Sequence, residues 1–146
     1  MESSDNMNMI MLLMKTYLAQ MDSSVRISKI LCEHSDHEEV SGDDIIGGLV
    51  YRLMTPMDED EMKESVDSAE HILEDPDSED DYDDIPETYK KPKISRQIVL
   101  NTCKCDICKR TRKCIRDFKD YETSDYVSQS MKKSIEKVCK EHKIKI

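Results

Sequence analysis

Residues 103–114 read CKCDICKRTRKC, so four of the six cysteines of the chain lie within twelve positions. Cys105 and Cys108 are separated by two residues, a spacing at which two thiolates on one tight turn can bind the same tetrahedral ion. Cys139 and His142, further along the chain, form a second pair with the same spacing. These two pairs predict a structural zinc site with one ion per chain.

The pattern is compatible with two sets of four ligands. The long-range set joins Cys105 and Cys108 to Cys139 and His142, and it would fix the last helix to the cysteine-rich turn. This set is favoured because it gives a small domain with few apolar residues a reason to fold. Cys139 also falls on the apolar face of its helix, where a cysteine is often a small buried hydrophobe. The alternative is therefore a local set, which consists of Cys103, Cys105, Cys108 and Cys114.

Other roles for these cysteines are less favoured. Disulfides need an oxidising compartment, and Cys103 and Cys105 are too close to both find partners without a dense cysteine framework elsewhere. A redox-active pair needs a βαβ setting. Residues 97–100 can form a strand before the cysteines, but no second unit of that kind follows. Ordinary reduced cysteines without a metal are the remaining alternative.

A second group of possible ligands lies near residue 34. Cys32, His34 and His37 repeat the spacing of the first three cysteines in residues 103–114, and His71 would complete a set of four. Histidines at the end of an acidic helix are usually just solvated. No metal is therefore predicted there.

The charge changes sign along the chain. Residues 1–88 carry 25 acidic and 5 basic side chains, a net of −20, and residues 89–146 carry 7 and 17, a net of +10; together they give the −10 of the whole chain. Either the two halves attract each other, or each meets a different partner. Three regions are predicted: an acidic helical bundle over 1–73, an acidic linker over 74–88, and a basic cysteine-rich zinc-binding segment with a C-terminal helix over 89–146.

The fold class predicted from these regions is mainly α. Apolar residues recur every three or four positions over residues 7–21 and again over 25–31, which predicts two helices in a hairpin, the second starting at Ser23-Ser24. A third helix follows the loop and cap at residues 41–44 and ends at Met54. Its adjacent glycines, Gly47 and Gly48, indicate either close approach of a neighbour or a kink.

Two more helices complete the prediction. Thr55-Pro56 is typical of a helix start, so a fourth helix is expected from there to about Leu73. The last helix is expected to begin at Ser124, after the cysteine-rich turn. Between the bundle and that turn, residues 74–87 contain nine acidic side chains in fourteen positions together with two prolines. This composition is typical of an unfolded linker.

Basic side chains surround the cysteines. Cations near thiolates favour the ionised form, and they also make a surface that can contact phosphate or an acidic partner. The candidates for partner contacts are Lys104, Lys109, Arg110, Arg112 and Lys113.

Several classes of protein are disfavoured by the sequence. No apolar run is long enough to span a membrane, and the short run over residues 9–14 follows acidic rather than basic residues, so no signal peptide is expected. There is no phosphate-binding glycine loop, nucleophile elbow or H-E-x-x-H motif, so the chain is not predicted to be an enzyme.

The stretch DDIIGGLVYRLMTP at residues 43–56, with the cysteine-rich turn after it, resembles small proteins of the nucleocytoplasmic large DNA viruses, especially iridovirus-like ones. The resemblance implies a virus made in the host cytoplasm, where thiols stay reduced, and a minor capsid protein that joins larger subunits of the virion. The function expected from it is a non-enzymatic structural protein that bridges neighbouring subunits. The alternative is a nucleic-acid-associated zinc module in viral transcription or regulation.

Overall fold

The computed structural model describes residues 2–74 and 92–146. Helices dominate both ranges, so the predicted mainly α fold is confirmed. A single pair of short strands, β1 and β2, is found in the described ranges, and it is parallel, with Arg96 opposite Ile144 and Gln97 opposite Lys145. In chain order the elements are α1 (Glu2–Glu33), α2 (Gly42–Met54), α3 (Glu59–Glu74), β1 (Arg96–Gln97), α4 (Asp106–Asp117), a 3-10 turn (Phe118–Asp120), α5 (Tyr126–Glu141) and β2 (Ile144–Lys145).

The N-terminal helix is continuous over 32 residues. The predicted hairpin of two helices is therefore wrong. Ser23 and Ser24 do not start a helix; both are buried inside α1. The Ser24 hydroxyl donates to the carbonyl oxygen of Met21 at 2.7 Å, a bond within the same helix. Serine is a common capping residue, but inside α1 its small side chain lets a second helix approach.

That second helix is α2, and its glycines mark the close approach. A Cβ atom on Gly48 would overlap the Ser28 hydroxyl and the Ser24 carbonyl oxygen. One on Gly47 would lie 3.0 Å from a Leu31 methyl group. Of the two readings of the glycine pair, the structure therefore supports close approach of a neighbour. The loss of helix propensity at two glycines is the cost of bringing α1 and α2 together.

The helix starts follow side-chain caps that the sequence identified only in part. The predicted cap of α2 is confirmed, because Ser41 and Asp44 form a reciprocal capping box. The predicted start of the next helix at Thr55 is wrong, since Thr55 ends α2 and α3 begins only at Glu59. There the Asp58 carboxylate accepts a hydrogen bond from the Glu61 backbone N–H at 2.8 Å. Aspartate three residues after threonine thus supplies the cap.

The second helix also organises the C-terminal half. Its residues Ile46, Val50 and Leu53 lie in one apolar cluster with side chains of α4 and α5, while Tyr51 lies in a second cluster with side chains of α1 and α4. The first cluster also contains Ile98, Cys114, Ile115, Phe118, Met131, Ile135 and Cys139. The regional boundaries at residues 73 and 89 stay predictions, but α2 makes apolar contacts with both halves of the described chain.

One ion pair joins α2 to the segment that leads to the cysteines. The Asp43 carboxylate accepts two bonds of 2.8 Å from the Arg96 guanidinium and one of 2.9 Å from the Val99 backbone N–H. Burial acts to raise the pKa of Asp43, but these hydrogen bonds outweigh it and lower the pKa. The strand predicted over residues 97–100 is accordingly short, and the chain beyond β1 is held by Asp43 instead.

The predicted acidic linker falls almost wholly outside the described ranges. The acidic linker over residues 74–88 lies outside them except for Glu74, the last residue of α3.

Among the helices that are described, none is both long and apolar enough to cross a bilayer.

The helix contact at Gly48 gives the first testable prediction. Gly48→Ala should lower the free energy of unfolding by about 1–3 kcal/mol, because the added methyl overpacks a contact with backbone atoms of α1. Urea unfolding followed by circular dichroism measures this change. The control is Gly42→Ala, at a position where a Cβ meets nothing within 4 Å and alanine favours the helix. Equal effects of the two substitutions would contradict the role given to Gly48.

Candidate metal centre

Four side chains with metal-binding chemistry meet where the end of α1 faces the start of α4. His34 directly follows the last residue of α1, Cys103 and Cys105 precede α4, and Cys108 lies in its first turn. One donor atom from each residue lies within 4.8 Å of the other three. The group joins residues that are about seventy positions apart in sequence.

The geometry of the group is that of ligands around a common centre. His34 Nδ1 lies 3.2 Å from Cys105 Sγ and 3.4 Å from the Sγ atoms of Cys103 and Cys108. A ring nitrogen of neutral histidine offers a single hydrogen or a single lone pair, so ordinary hydrogen bonding does not require three sulfur partners. The three N–S separations are nearly equal, and all four donor atoms lie within 4.8 Å of one another, close enough to surround a single ion. The group can therefore bind one metal ion.

Asn101 fixes the cysteine loop against α1. Its side-chain amide donates to the Leu31 carbonyl oxygen at 2.9 Å and to Cys108 Sγ at 3.4 Å. Its side-chain oxygen accepts from the backbone N–H of Cys103 at 3.1 Å. One asparagine thus contacts the helix that carries His34 and two of the three cysteines, which orients the ligands.

Arg112 holds the same loop from the other side. Its guanidinium donates to the Cys103 carbonyl oxygen at 2.6 Å and to the Asn101 carbonyl oxygen at 2.8 Å. Arg112 is one of the five basic residues predicted to contact a partner. In the structure it holds the cysteine loop through these hydrogen bonds. Lys104, Lys109, Arg110 and Lys113 are exposed, and their contact with a partner stays a prediction.

Backbone N–H groups in the turn point at the sulfur atoms. Cys108 N donates to Cys105 Sγ at 3.4 Å, and Cys105 N donates to Cys103 Sγ at 3.5 Å. The bond from Cys108 N is the main cause that lowers the pKa of the Cys105 thiol to about 6. Burial raises the pKa of the Cys108 thiol to about 12. A metal ion at this site would therefore meet one readily ionised thiol and displace the proton of a buried one.

Burial differs across the group. Cys108 is fully buried with Ile27, Leu31 and Tyr51, whereas His34 is exposed and Cys103 and Cys105 are half-buried. One side of the centre is thus continuous with the apolar contact between α1, α2 and α4. The other side is open, so an ion can enter from solvent.

The remaining predicted ligands lie elsewhere. Cys114 and Cys139 are buried in the apolar cluster between α2, α4 and α5, and burial raises the pKa of each thiol. His142 ends α5, where its backbone N–H donates to the Val138 carbonyl oxygen at 3.0 Å. In the described part of the chain, the group within 4.8 Å includes His34 and none of these three residues. The structure therefore brings together three cysteines that the local set contains, with a histidine that neither set contains.

The sequence carries a signal for His34 in its spacing from Cys32 and His37. That spacing groups His34 with these two residues and not with the cysteines of residues 103–114. The proximity of His34 to Cys103, Cys105 and Cys108 cannot be inferred from spacing, because it depends on one long helix reaching the cysteine turn. Cys32 is buried, and its thiol donates to the His37 carbonyl oxygen at 3.6 Å.

Comparisons of the chain with protein-family models, with curated proteins and with solved structures found no match. The resemblance to small capsid-associated proteins of large DNA viruses therefore stays a prediction.

The ligand assignment gives the second testable prediction. His34→Ala should remove bound metal, since the exposed imidazole supplies one of four donor atoms and its loss leaves an incomplete set. Metal content is measured by elemental mass spectrometry after reconstitution of reduced protein, and cobalt absorption reports tetrahedral thiolate coordination.

Two histidine controls separate this arrangement from the alternatives. His37→Ala removes an exposed imidazole three residues away, and His142→Ala tests the long-range set. Both variants should keep the metal. Loss of metal in His142→Ala together with its retention in His34→Ala would contradict the assignment.

Proposed function

We propose that this chain is a non-enzymatic structural protein that is clamped by one zinc ion and binds neighbouring protein subunits through the N-terminal half of α1. The observation that carries the proposal is the exposure of that half. From residue 7 to residue 17 the helix presents a series of large apolar side chains to solvent: Met7, Met9, Ile10, Met11, Leu12, Leu13, Met14 and Tyr17.

Zinc is the metal that fits the donor set best. Three thiolates and one imidazole are soft to intermediate ligands, which favour zinc over magnesium or calcium, and Cys3His is a common structural zinc set. Zn–S bonds of about 2.3 Å and Zn–N bonds of about 2.0 Å at tetrahedral angles place N and S about 3.5 Å apart. The N–S separations of 3.2–3.4 Å are close to this value.

A four-ligand site supports a structural rather than a catalytic role. Catalytic zinc keeps one position open for water or substrate, and here His34, Cys103, Cys105 and Cys108 would fill all four. The ion would connect the end of α1 to the start of α4 across the contact with α2. Because the described residues form two small apolar clusters, that connection would supply a substantial part of the stability.

The apolar residues of α1 form a broad stripe. Met7, Ile10, Met14 and Tyr17 recur at intervals of three and four, so they lie along one side of the helix, and Met11 and Leu13 flank them. Their exposed fractions of 37–66 % correspond to an apolar patch on the order of 600 Å², the upper end for a soluble monomer. The stripe continues into an apolar groove of about 310 Å³ between α1 and the start of α5.

The partner that fits this stripe is the same stripe on a second copy. Residues 6–14 contain no charged side chain, so two copies can approach without like-charge repulsion at the contact. Burial of both stripes would remove about 1,200 Å² from water, the lower end of the range for specific interfaces. Methionine side chains adapt to such contacts because they are unbranched and flexible. A virion as the site of this assembly is a further proposal that rests on the sequence resemblance.

Metal removal gives the third testable prediction. Chelation should lower the midpoint of thermal unfolding by roughly 5–10 °C relative to protein with zinc at about a hundred times its Kd. Hydrogen exchange should rise both at the end of α1 and in the first turn of α4, because the ligands come from both. Protein with His34→Ala should not respond to the chelator, and His37→Ala should respond like the wild type. Faster exchange confined to residues 97–142 would contradict a clamp between the halves.

Self-association gives the fourth testable prediction. Wild-type protein should form dimers or larger species as its concentration rises, measured by sedimentation velocity. Ile10→Glu combined with Met14→Glu places two charges in the stripe and should give a monomer, because burying unpaired carboxylates is costly.

The control adds the same two charges to the same helix. Asn8→Glu with Thr16→Glu alters exposed positions away from the stripe and should leave association unchanged. A wild-type protein that stays monomeric at high concentration would overturn the proposed contact, and so would equal loss of association in both double variants.

A further inference from the structure

The two sides of α4 differ sharply in chemistry. Cys108, Thr111, Cys114 and Ile115 are buried against the rest of the chain. The opposite side carries four exposed cations, which are Lys109, Arg110, Lys113 and Arg116. None of the four forms an ion pair with another residue in the described ranges 2–74 and 92–146. Their charge is therefore available to a partner.

These cations line a groove rather than a convex surface. The groove lies between α4 and the segment that includes Gln97, Ile98 and Leu100, and its volume is about 680 Å³. Among the described residues of its lining, Asp106 is the acidic one. Arg112 also reaches the groove, but its guanidinium already donates to Asn101 and Cys103. Four of the five cations in the lining are thus free of the hydrogen bonds that hold the cysteine loop.

We propose that this groove binds the phosphate backbone of nucleic acid and does not read the bases. Clustered lysine and arginine side chains on one helix face neutralise several phosphates at once, with release of counterions. Among the described residues, no aromatic side chain lines the groove, so these residues offer bases no surface on which to stack. The expected ligand is therefore a duplex, bound with little dependence on sequence.

The acidic character of the whole chain limits this binding but does not exclude it. At physiological ionic strength the Debye length is about 8 Å, so exposed acids farther away are largely screened from a phosphate in the groove. The cations that line the groove are close to a bound phosphate, so their attraction to it is not screened in this way. Binding should accordingly be weak and strongly dependent on salt.

The metal centre would position the groove. Cys105 caps α4, and Cys108 lies in its first turn, so the ligands of the candidate site fix the helix that carries the cations. Loss of the metal should weaken binding even though no cation is removed. This inference does not depend on the self-association of α1.

The experiment uses the full chain and a fluorescent duplex of random sequence, with binding measured by anisotropy at several salt concentrations. The slope of log K against log salt should be about −3 to −4 if the four cations each contact a phosphate. Lys109→Glu with Lys113→Glu should weaken binding at least tenfold and reduce the slope by about two. The control is Lys133→Glu with Lys137→Glu, which reverses two exposed lysines at the same spacing on α5 and should change binding less than twofold.

Further binding measurements identify the class of ligand. Duplex DNA and duplex RNA are compared directly, and binding of either one supports the proposal. Circular dichroism establishes that both double variants are folded. Absence of binding at low salt would overturn the proposal, as would equal weakening by the two lysine pairs. Polyglutamate of matched charge that binds as tightly as the duplexes would assign the groove to an acidic protein instead.

Discussion

The structure depends on one imidazole nitrogen that lies among three sulfur atoms. His34 reaches Cys103, Cys105 and Cys108 only because α1 continues unbroken past Ser23 and Ser24 to Glu33. The helix can take that course because α2 presents Gly48 to it, where any larger residue would overlap the α1 backbone. Gly48 lowers the helix propensity of α2, but it allows α1 to take the course that positions the candidate ligand His34.

The other side of the centre depends on hydrogen bonds from a few side chains. Asp43 at the start of α2 holds the backbone at Val99, and Asn101 and Arg112 hold the next residues to the cysteine turn. The same helix α2 therefore fixes both approaches to the centre, α1 through packing and residues 96–101 through Asp43. An ion would then bind four donor atoms that the fold has already brought together, which reduces the ordering cost of binding.

Residue patterns in the sequence correctly predicted the features that depend on residues close together in the chain. Helical periodicity identified the mainly α fold, and the Cys105–Cys108 spacing identified half of the candidate site. Serine and threonine led to wrong predictions of helix starts, because these residues also occur inside helices and at helix ends. Ser23-Ser24 packs inside a helix and Thr55 ends one, although both resemble starts. Spacing alone could not show that Cys114 and Cys139 lie in an apolar cluster, outside the group that contains His34. His34 could be recognised only once the course of α1 was known.

The division of the chain into an acidic and a basic half is reflected in where its ion pairs form. Among the described residues, four of the five ion pairs lie within the acidic N-terminal half and involve Lys15, Arg26 and Arg52. The pair between Asp43 and Arg96 joins the two halves. The Asp43 carboxylate of this pair is buried, so the pair acts together with the apolar contacts of α2 to attach the two halves. Within residues 2–74 and 92–146, the exposed cations of α4 form no ion pair with an acidic side chain.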